Sequence, residues 1–338
     1  MNAIRLFPFS DVWWVYLAAT LLIGALLAID LGFFHKKAHR VTMREATGFA
    51  VVWVGVALLF NAALYFWALS FLTSHPVAGI TAAEGAKRTA MEFLAGYVVE
   101  YSLSIDNLFV FVVVLNYFRI PPELRHRVLF LGILAALVFR AIFVAIGAAL
   151  LQFQWIVWGL GVFLVFTGVK VMTGDEDDQI DPEHNWAMKL LKKVLPVTPK
   201  FHGESFFIRE NGKLLATPLF VALMFLNIVD TVFAVDSVPA IFGLTSEPLV
   251  VFTSNMFAIL GLRNLYFLLA GAVDVFHLLK YGLGIVLCFV GLKMTILPWL
   301  MHGHVPIGPS LVFILAVLVI SIAGSLLYPK VHHEKESA

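Results

Sequence analysis

The sequence predicts an all-α fold, a polytopic transmembrane helical bundle of about nine spans arranged as a 3+3 inverted repeat. Hydrophobic residues make up 61% of its 338 residues and the mean hydropathy is +0.92, values too apolar for a water-soluble domain. Apolar runs of about 20 residues, the length of helix that crosses a bilayer, recur along the chain. An acidic motif with one internal spacing occurs in two of these runs. These three observations together predict the fold class.

The candidate spans follow one another along the whole chain. They cover residues 12–34, 45–71, 90–118, 127–151, 154–173, 217–243, 248–275, 279–300 and 307–328. Between the fifth and sixth spans, Asn211-Gly212 stands between short apolar runs, a pattern typical of a β-hairpin. These limits divide the chain into two N-terminal helices and a linker (1–88), a first repeat of three spans (89–174), a cytoplasmic loop (175–216), a second, inverted repeat of three spans (217–301), and a last span with a cytoplasmic tail (302–338).

Lysine and arginine predict the orientation of the chain in the membrane. They collect in the first, third and fifth loops, within residues 35–44, 119–127 and 174–216. The alternate loops are nearly uncharged apart from Lys87 and Arg88. Because loops rich in lysine and arginine stay on the cytoplasmic side, we expect the N-terminus outside and the C-terminus in the cytoplasm.

Four carboxylic acids lie inside apolar runs, where charge is costly. Glu100 and Asp106 belong to one motif and Asp230 and Asp236 to the other, six residues apart in each case. Each acid costs about 2.5–3.5 kcal/mol at the centre of a membrane helix. Acids at such positions are candidates for a functional site.

The six-residue spacing separates the two acids of each motif around the helix. At about 100° per residue, positions six apart differ by about 240° and do not share a face. Either the two acids serve different neighbours, or the helix opens between them. Pro239, Ser104 and Ser237 are compatible with an opening, because proline frees a backbone carbonyl and serine bends helices.

Similar spacing beyond the acidic motifs indicates an internal repeat. Arg140 lies 30 residues before Lys170, and Arg263 lies 30 residues before Lys293. Each lysine ends a segment of similar sequence, which begins at Gly161 in the first half and at Gly284 in the second. Three spans per unit is an odd number, so the second unit enters the membrane from the opposite side. Transporters with this architecture place their substrate where the repeats meet.

The composition of the predicted site favours a hard divalent cation. Arg140 and Arg263 are too few to neutralise four acids, so a bound cation or protons must balance the remainder. Asn107, Ser237 and Asn255 add neutral oxygen donors, and an all-oxygen site suits Mn²⁺, Mg²⁺ or Ca²⁺. The structural alternative is that the acids form ion pairs that hold the helices together, and that the amides make ordinary hydrogen bonds between helices.

Other function classes receive little support. A net charge of +1 without a basic stripe argues against a nucleic-acid partner. No nucleophile–base pair or cofactor motif indicates an enzyme or a prosthetic group. Cys288 is the only cysteine, which excludes an internal disulfide and a CxxC redox pair.

Three segments resemble a known family. Residues 100–107, 233–242 and 253–263 are similar to motifs of the TerC family, most closely its Alx-type members, and the resemblance extends over nearly the whole chain. It implies a multi-pass protein of the cell inner (plasma) membrane that acts in metal-ion homeostasis, with manganese export as the expected activity. The family's intramembrane acids fall on Glu100, Asp106, Asp230 and Asp236. Such proteins have also been labelled tellurium-resistance proteins and membrane-bound redox modulators.

Three hypotheses follow, with the ion and the oligomeric state left open. The first is an exporter of divalent metal, Mn²⁺ above all, in which the four acids bind the ion and proton exchange is a candidate coupling. Asn107 and Ser237 would complete its shell, while Arg140 and Arg263 would hold the acids or repel a cation. The second is a redox modulator or tellurium-resistance scaffold without transport activity. The third is an exporter of organic solutes.

Overall fold

The chain is almost entirely helical in a computed structural model that describes residues 5–34, 43–150, 153–173, 196–198, 202–203, 205–210, 213–262, 265–266, 278–300 and 306–327. Within these ranges there are ten helices and one two-stranded sheet. They are α1 (Phe9–Phe34), α2 (Met43–Ser74), α3 (Ala82–Tyr117), α4 (Pro122–Leu150), α5 (Gln154–Thr173), β1 (Phe207–Glu210), β2 (Lys213–Ala216), α6 (Pro218–Phe242), α7 (Pro248–Leu260), α8 (Leu279–Thr295), α9 (Leu297–Leu300) and α10 (Ile307–Leu327).

Six of these helices are long and apolar enough to cross a membrane, namely α1, α2, α4, α5, α6 and α10. Their apolar stretches run from 20 to 28 residues, which matches the thickness of the hydrocarbon layer. The all-helical, multi-pass membrane class is therefore confirmed. The predicted spans 90–118, 248–275 and 279–300 coincide with a helix rich in polar residues (α3) and two shorter apolar helices (α7 and α8). The count of nine spans stays a prediction.

The acid-bearing helices α3 and α6 lie inside the bundle. Of the apolar stretch of α6, 61% is buried, against 17–22% for α1, α2, α5 and α10. Helix α6 contacts α3, α4, α5, α7 and α8, so it has helical neighbours on several sides. The outer helices expose large apolar side chains such as Leu59 (73%) and Trp155 (74%). This distribution is that of a protein surrounded by lipid, with its polar residues turned inward.

Local sequence signals account for several helix ends. Thr81 caps α3 through a reciprocal capping box with Glu84, in which the Glu84 N–H donates to the Thr81 hydroxyl and the Thr81 N–H to the Glu84 carboxylate. Pro218 and Pro248 begin α6 and α7, where the missing N–H costs no helical hydrogen bond. Arg119 adopts a left-handed backbone conformation (φ 50°) in the tight turn from α3 to α4.

A β-hairpin lies at one end of α6, as the sequence predicts. Strands β1 and β2 pair antiparallel with Glu210 opposite Lys213, and the turn residues 211–212 lie outside the described ranges. The rings of Phe207 and Phe220 are 4.3 Å apart, and the Thr217 hydroxyl donates to the Ser205 carbonyl at 2.8 Å. These contacts fix the hairpin at the first turn of α6. The loop 243–247 lies beyond the opposite end of that helix, about 37 Å away at 1.5 Å per residue.

Helices α5 and α8 pack with their backbones in close contact. A Cβ atom on Gly161 would lie 2.9 Å from the Gly291 carbonyl oxygen, and one on Gly168 would lie 2.6 Å from the Gly284 carbonyl oxygen. Because Gly161 faces Gly291 and Gly168 faces Gly284, the two helices run antiparallel. Small residues allow such close approach, which is a main source of attraction between helices in lipid.

We expect Gly168→Ala to destabilise the protein and Gly159→Ala, on the same helix, not to do so. A methyl group at position 168 would overlap the backbone of α8, and overpacking costs about 1–3 kcal/mol. Position 159 has open space around it, where alanine gains up to about 1 kcal/mol of helix propensity. Thermal midpoints of the two variants in detergent, read by size-exclusion chromatography, would check this. Equal midpoints would contradict the close packing.

Candidate functional site

Arg140, on α4, connects the two acid-bearing helices. Its Nη1 contacts Glu100 Oε1 on α3, and its Nη2 lies 3.7 Å from Asp230 Oδ1 on α6. Nη1 also donates to Asn255 Oδ1 on α7 at 3.1 Å. Four helices therefore meet at one guanidinium group, and the first acid of each motif is drawn to the same point.

This cluster is removed from solvent and carries unbalanced charge. Arg140, Glu100 and Asp230 are 1%, 0% and 4% exposed. With both carboxyl groups ionised, one positive and two negative charges leave a net formal charge of −1. Burying an uncompensated charge is costly, so the surplus is most readily removed by a proton or by a bound cation.

Neither carboxylate is fully occupied by its protein partners. Ser104 Oγ donates to Glu100 Oε1 at 3.3 Å, whereas Glu100 Oε2 and Asp230 Oδ2 are buried without a hydrogen-bond partner. Ser237 Oγ is likewise buried without a partner, and it lies seven residues after Asp230, which places both on one face of α6. Two carboxylate oxygens and a hydroxyl oxygen thus remain able to accept a proton or bind a cation.

Asp236 faces different neighbours from Asp230. The Thr167 side chain hydrogen bonds to its carboxylate, and the Lys170 ammonium group interacts with it electrostatically, both from α5. Helix α6 continues through Pro239 to Phe242. Of the two explanations for the six-residue spacing, the structure therefore shows separate neighbours on an unbroken helix, and α3 likewise runs without a break from Ala82 to Tyr117.

Three predicted site residues fall wholly or partly outside what the structure describes. The backbone of Asp106 and Asn107 belongs to α3, but their side chains are not described, and Arg263 lies outside the described ranges. Convergence of all four acids therefore stays a prediction. Within the described part of the chain, no three histidine, cysteine or acidic side chains are grouped as they would be around a metal ion. Of the predicted donors, the structure groups the Glu100 and Asp230 carboxylates and the Asn255 amide around Arg140, while Ser237 lies about 10 Å further along α6.

Sequence reasoning missed a second buried polar cluster, at the end of the bundle opposite the hairpin. Glu92 on α3 and Glu247 in the loop 243–247 are 2% and 0% exposed. Glu92 has no motif around it, and Glu247 stands in a short loop, where an acid normally faces water. The only feature of the sequence that could have pointed to burial of Glu92 is its position two turns before Glu100 on the same helix.

Buried acids on inner helices, surrounded by helices with apolar outer faces, define a multi-pass membrane protein with an intramembrane ionisable site. The chain belongs to the TerC family of integral membrane proteins, whose family pattern matches residues 85–333.

A Myxococcus xanthus protein named only as an uncharacterized membrane protein is 45% identical over 304 residues, covering 90% of this chain and 89% of the relative. An Escherichia coli K12 protein with the provisional name membrane-bound redox modulator Alx is 42% identical over 304 residues, covering 88% and 90%. A Salmonella typhi protein of the same name is 42% identical over 299 residues, covering 88% and 89%. No solved structure matches the chain.

We expect Arg140→Leu to destabilise the protein strongly. The change leaves two carboxyl groups buried without a counter-charge, and removing one partner of a buried ion pair costs about 3–5 kcal/mol. The double variant Arg140→Leu/Glu100→Gln should recover part of the lost stability, because it also removes one of the two unpaired buried carboxylates. Thermal midpoints in detergent would measure both effects.

Arg125→Leu serves as the control on the same helix. Arg125 is only partly buried, so water can replace its contacts with Asn116 and the Ile120 carbonyl. If Arg140→Leu lowered the midpoint no more than Arg125→Leu, the buried guanidinium would not hold the four helices together.

Proposed function

We propose that this protein is an inner-membrane exporter of divalent metal ions, with Mn²⁺ as its expected substrate. The observation that carries the proposal is the surplus negative charge at Arg140, where Glu100 and Asp230 share one guanidinium and each keeps an unpartnered oxygen. Intramembrane acids with free oxygens mark ion paths and proton relays. Membership of the TerC family is consistent with such a role.

We further propose that the two halves of the transporter form a 3+3 inverted repeat. In the predicted alignment Gly161 corresponds to Gly284 and Gly168 to Gly291, yet Gly161 packs against Gly291 and Gly168 against Gly284. A twofold axis between the halves produces this exchange of partners. The pairs α3–α7 and α4–α6 support the same relation, since the first helix of each half packs on the second helix of the other.

The proposed ion site uses only oxygen ligands, in agreement with a hard cation. Glu100 and Asp230 supply carboxylates from the two halves, and Asp106, Asn107, Asp236 and Ser237 are further donors about 9–10 Å along the same two helices, on the path of the ion. Carboxylate, amide and hydroxyl oxygens suit Mn²⁺ and Mg²⁺, whereas zinc and copper favour imidazole or thiolate.

Arg140 gives this site a physical link between ion binding and movement. A divalent cation held by the Glu100 and Asp230 carboxylates would repel the guanidinium group that now contacts both. Ion binding and the Arg140 contacts thus oppose each other, so occupation of the site shifts α4 relative to α3 and α6. A ligand that favours one arrangement of helices over another is what alternating access requires.

Orientation and energy source complete the proposal. We propose, from the positions of the basic loops, that the N-terminus lies outside and the C-terminus in the cytoplasm. In this orientation the hairpin faces the cytoplasm and the loop 243–247 faces outward. Protons are the candidate counter-ions, because a carboxyl group can exchange a proton for the metal ion.

We expect Asp106→Asn and Asp236→Asn to reduce Mn²⁺ flux by the purified protein in proteoliposomes. Loss of about 1.4 kcal/mol of ion binding corresponds to about tenfold. Asp236 is preferred for the test because it lies outside the Arg140 contacts, so its change leaves that buried ion pair intact. Glu210→Gln is the control, since it neutralises an exposed acid on the hairpin. Unchanged flux in both aspartate variants would refute the site.

Flux measured with Mn²⁺, Mg²⁺, Ca²⁺, Zn²⁺ and Co²⁺, with and without a pH gradient, would identify the substrate and the coupling.

The name of several relatives favours a second candidate, a redox modulator without transport activity. Redox chemistry on this chain would depend on Cys288, its single thiol, which lies between α5 and α8 with Sγ 3.6 Å from the Val165 carbonyl oxygen. That thiol can form no disulfide within the chain.

We expect Cys288→Ala to leave Mn²⁺ flux unchanged, because alanine removes the thiol and keeps the interface between α5 and α8 free of bulk. A redox modulator predicts the opposite pattern, in which Cys288→Ala or deletion of loop 175–216 abolishes function and neutralising the acids does not. Growth under metal stress and under thiol stress, compared between the Cys288 and Asp236 variants, separates the two candidates.

A further inference from the structure

A network of buried polar groups lies at the end of the bundle opposite the hairpin. The Leu6 backbone N–H donates to Glu247 Oε1 at 2.6 Å. The Glu247 N–H donates to Thr245 Oγ1 at 3.1 Å, and the Thr245 hydroxyl in turn donates to Glu92 Oε2. Arg88 Nε pairs with Glu92 Oε1 at 2.7 Å. The network therefore joins the backbone at Leu6, the loop 243–247 and α3.

The two acids of this network differ in how well they are satisfied. Both Glu92 oxygens have a partner, Arg88 for one and Thr245 for the other. Glu247 is fully buried, its Oε2 has no hydrogen-bond partner, and within the described part of the chain no lysine or arginine is paired with it. A buried carboxylate that forms no direct ion pair binds a proton readily, and Oε2 is where that proton can reside.

Residues 5–8, here called the N-terminal segment, cover Glu247. Leu6 and Phe7 are 1% and 2% exposed. The Phe7 ring packs against Trp67 at 5.1 Å and Phe71 at 5.7 Å, both on α2. Because the Leu6 amide binds the carboxyl group directly, release of this segment would open Glu247 to water.

The pKa of Glu247 is raised from 4.5 to about 7, mainly by burial. The Leu6 amide, Arg88 and the Phe7 amide act to lower this pKa, and the nearby Glu92 carboxylate acts to raise it. The titratable and charged groups around this end of the bundle come from four elements. They are Arg5 of the N-terminal segment, Tyr16 of α1, Arg88 and Glu92 of α3, and Lys293 of α8.

We propose that Glu247 is a proton-binding site that controls docking of the N-terminal segment onto the loop 243–247. The protonated carboxyl group keeps the segment docked, and loss of the proton favours its release. This proposal does not depend on the transport of any ion, and it concerns a site that the exporter mechanism does not use.

Proton linkage determines whether docking strengthens or weakens as the pH rises. Undocking hydrates Glu247 and returns its pKa toward 4.5, so the docked state binds the proton more tightly than the released state. Docking is therefore strongest below about pH 4.5 and weakens by up to about tenfold per pH unit between about 4.5 and 7. Above the higher pKa both states are ionised, and docking no longer changes with pH.

Hydrogen–deuterium exchange of the full-length protein in detergent tests the proposal. Protection of the Leu6 and Phe7 amides, relative to their unprotected rates, is measured from pH 5 to 8. We expect it to fall up to about tenfold per unit between pH 5 and 7 and then to level off. In Glu247→Gln, which keeps the acceptor oxygen and cannot ionise, protection should stay high and independent of pH. Glu84→Gln is the control, because it neutralises an exposed acid at the start of α3 and should leave the pH dependence unchanged.

The proposal is overturned if the wild-type protein shows no pH dependence, or if Glu247→Gln retains it. A second variant covers the case in which Glu247→Gln does not fold. Leu6→Pro removes the donor N–H, so protection of the Phe7 amide should be low and insensitive to pH. Persistence of the wild-type pH profile in Leu6→Pro would equally overturn the proposal.

Discussion

One guanidinium group in a medium of low dielectric organises the centre of this protein. Arg140 contacts Glu100, Asp230 and Asn255, which lie on three other helices, and charged contacts are strongest where water is absent. In lipid, apolar side chains gain little by leaving the hydrocarbon for one another. Polar contacts and close backbone packing therefore determine how the inner helices associate, and the apolar surface determines only that they stay in the membrane.

Hydropathy alone predicts most of the fold, because the bilayer allows few alternatives to helices in an apolar chain. The hairpin at Asn211-Gly212 was predictable for a local reason, since this dipeptide favours a two-residue turn. The partners of the acids were not. The six-residue spacing left two explanations open, and only the packing of α5 beside α6 shows that Asp236 meets Thr167 and Lys170. Burial of Glu247 was equally hidden, because it depends on contacts with Leu6, 241 residues away in sequence.

The proposed ion site and the polar network around Glu247 share helix α3. Glu100 lies two turns after Glu92, so a displacement of α3 that alters the contacts with Arg140 also acts on the contact between Glu92 and Thr245. Relatives bearing a redox name are about as similar to this chain as the Myxococcus xanthus relative, whose name assigns no function. The chemistry of the site therefore has to decide between the candidates, and among the described residues it consists of two carboxylates, an amide and one guanidinium.

The contact between α5 and α8 restricts which motions are open to the bundle. Their backbones are in contact at two points along the helix axes, at the pairs Gly161–Gly291 and Gly168–Gly284. Rotation of either helix about its own axis would push a larger side chain into the opposing backbone. A rearrangement that preserves this contact therefore moves both helices together as one rigid body, with the hinges placed elsewhere in the chain.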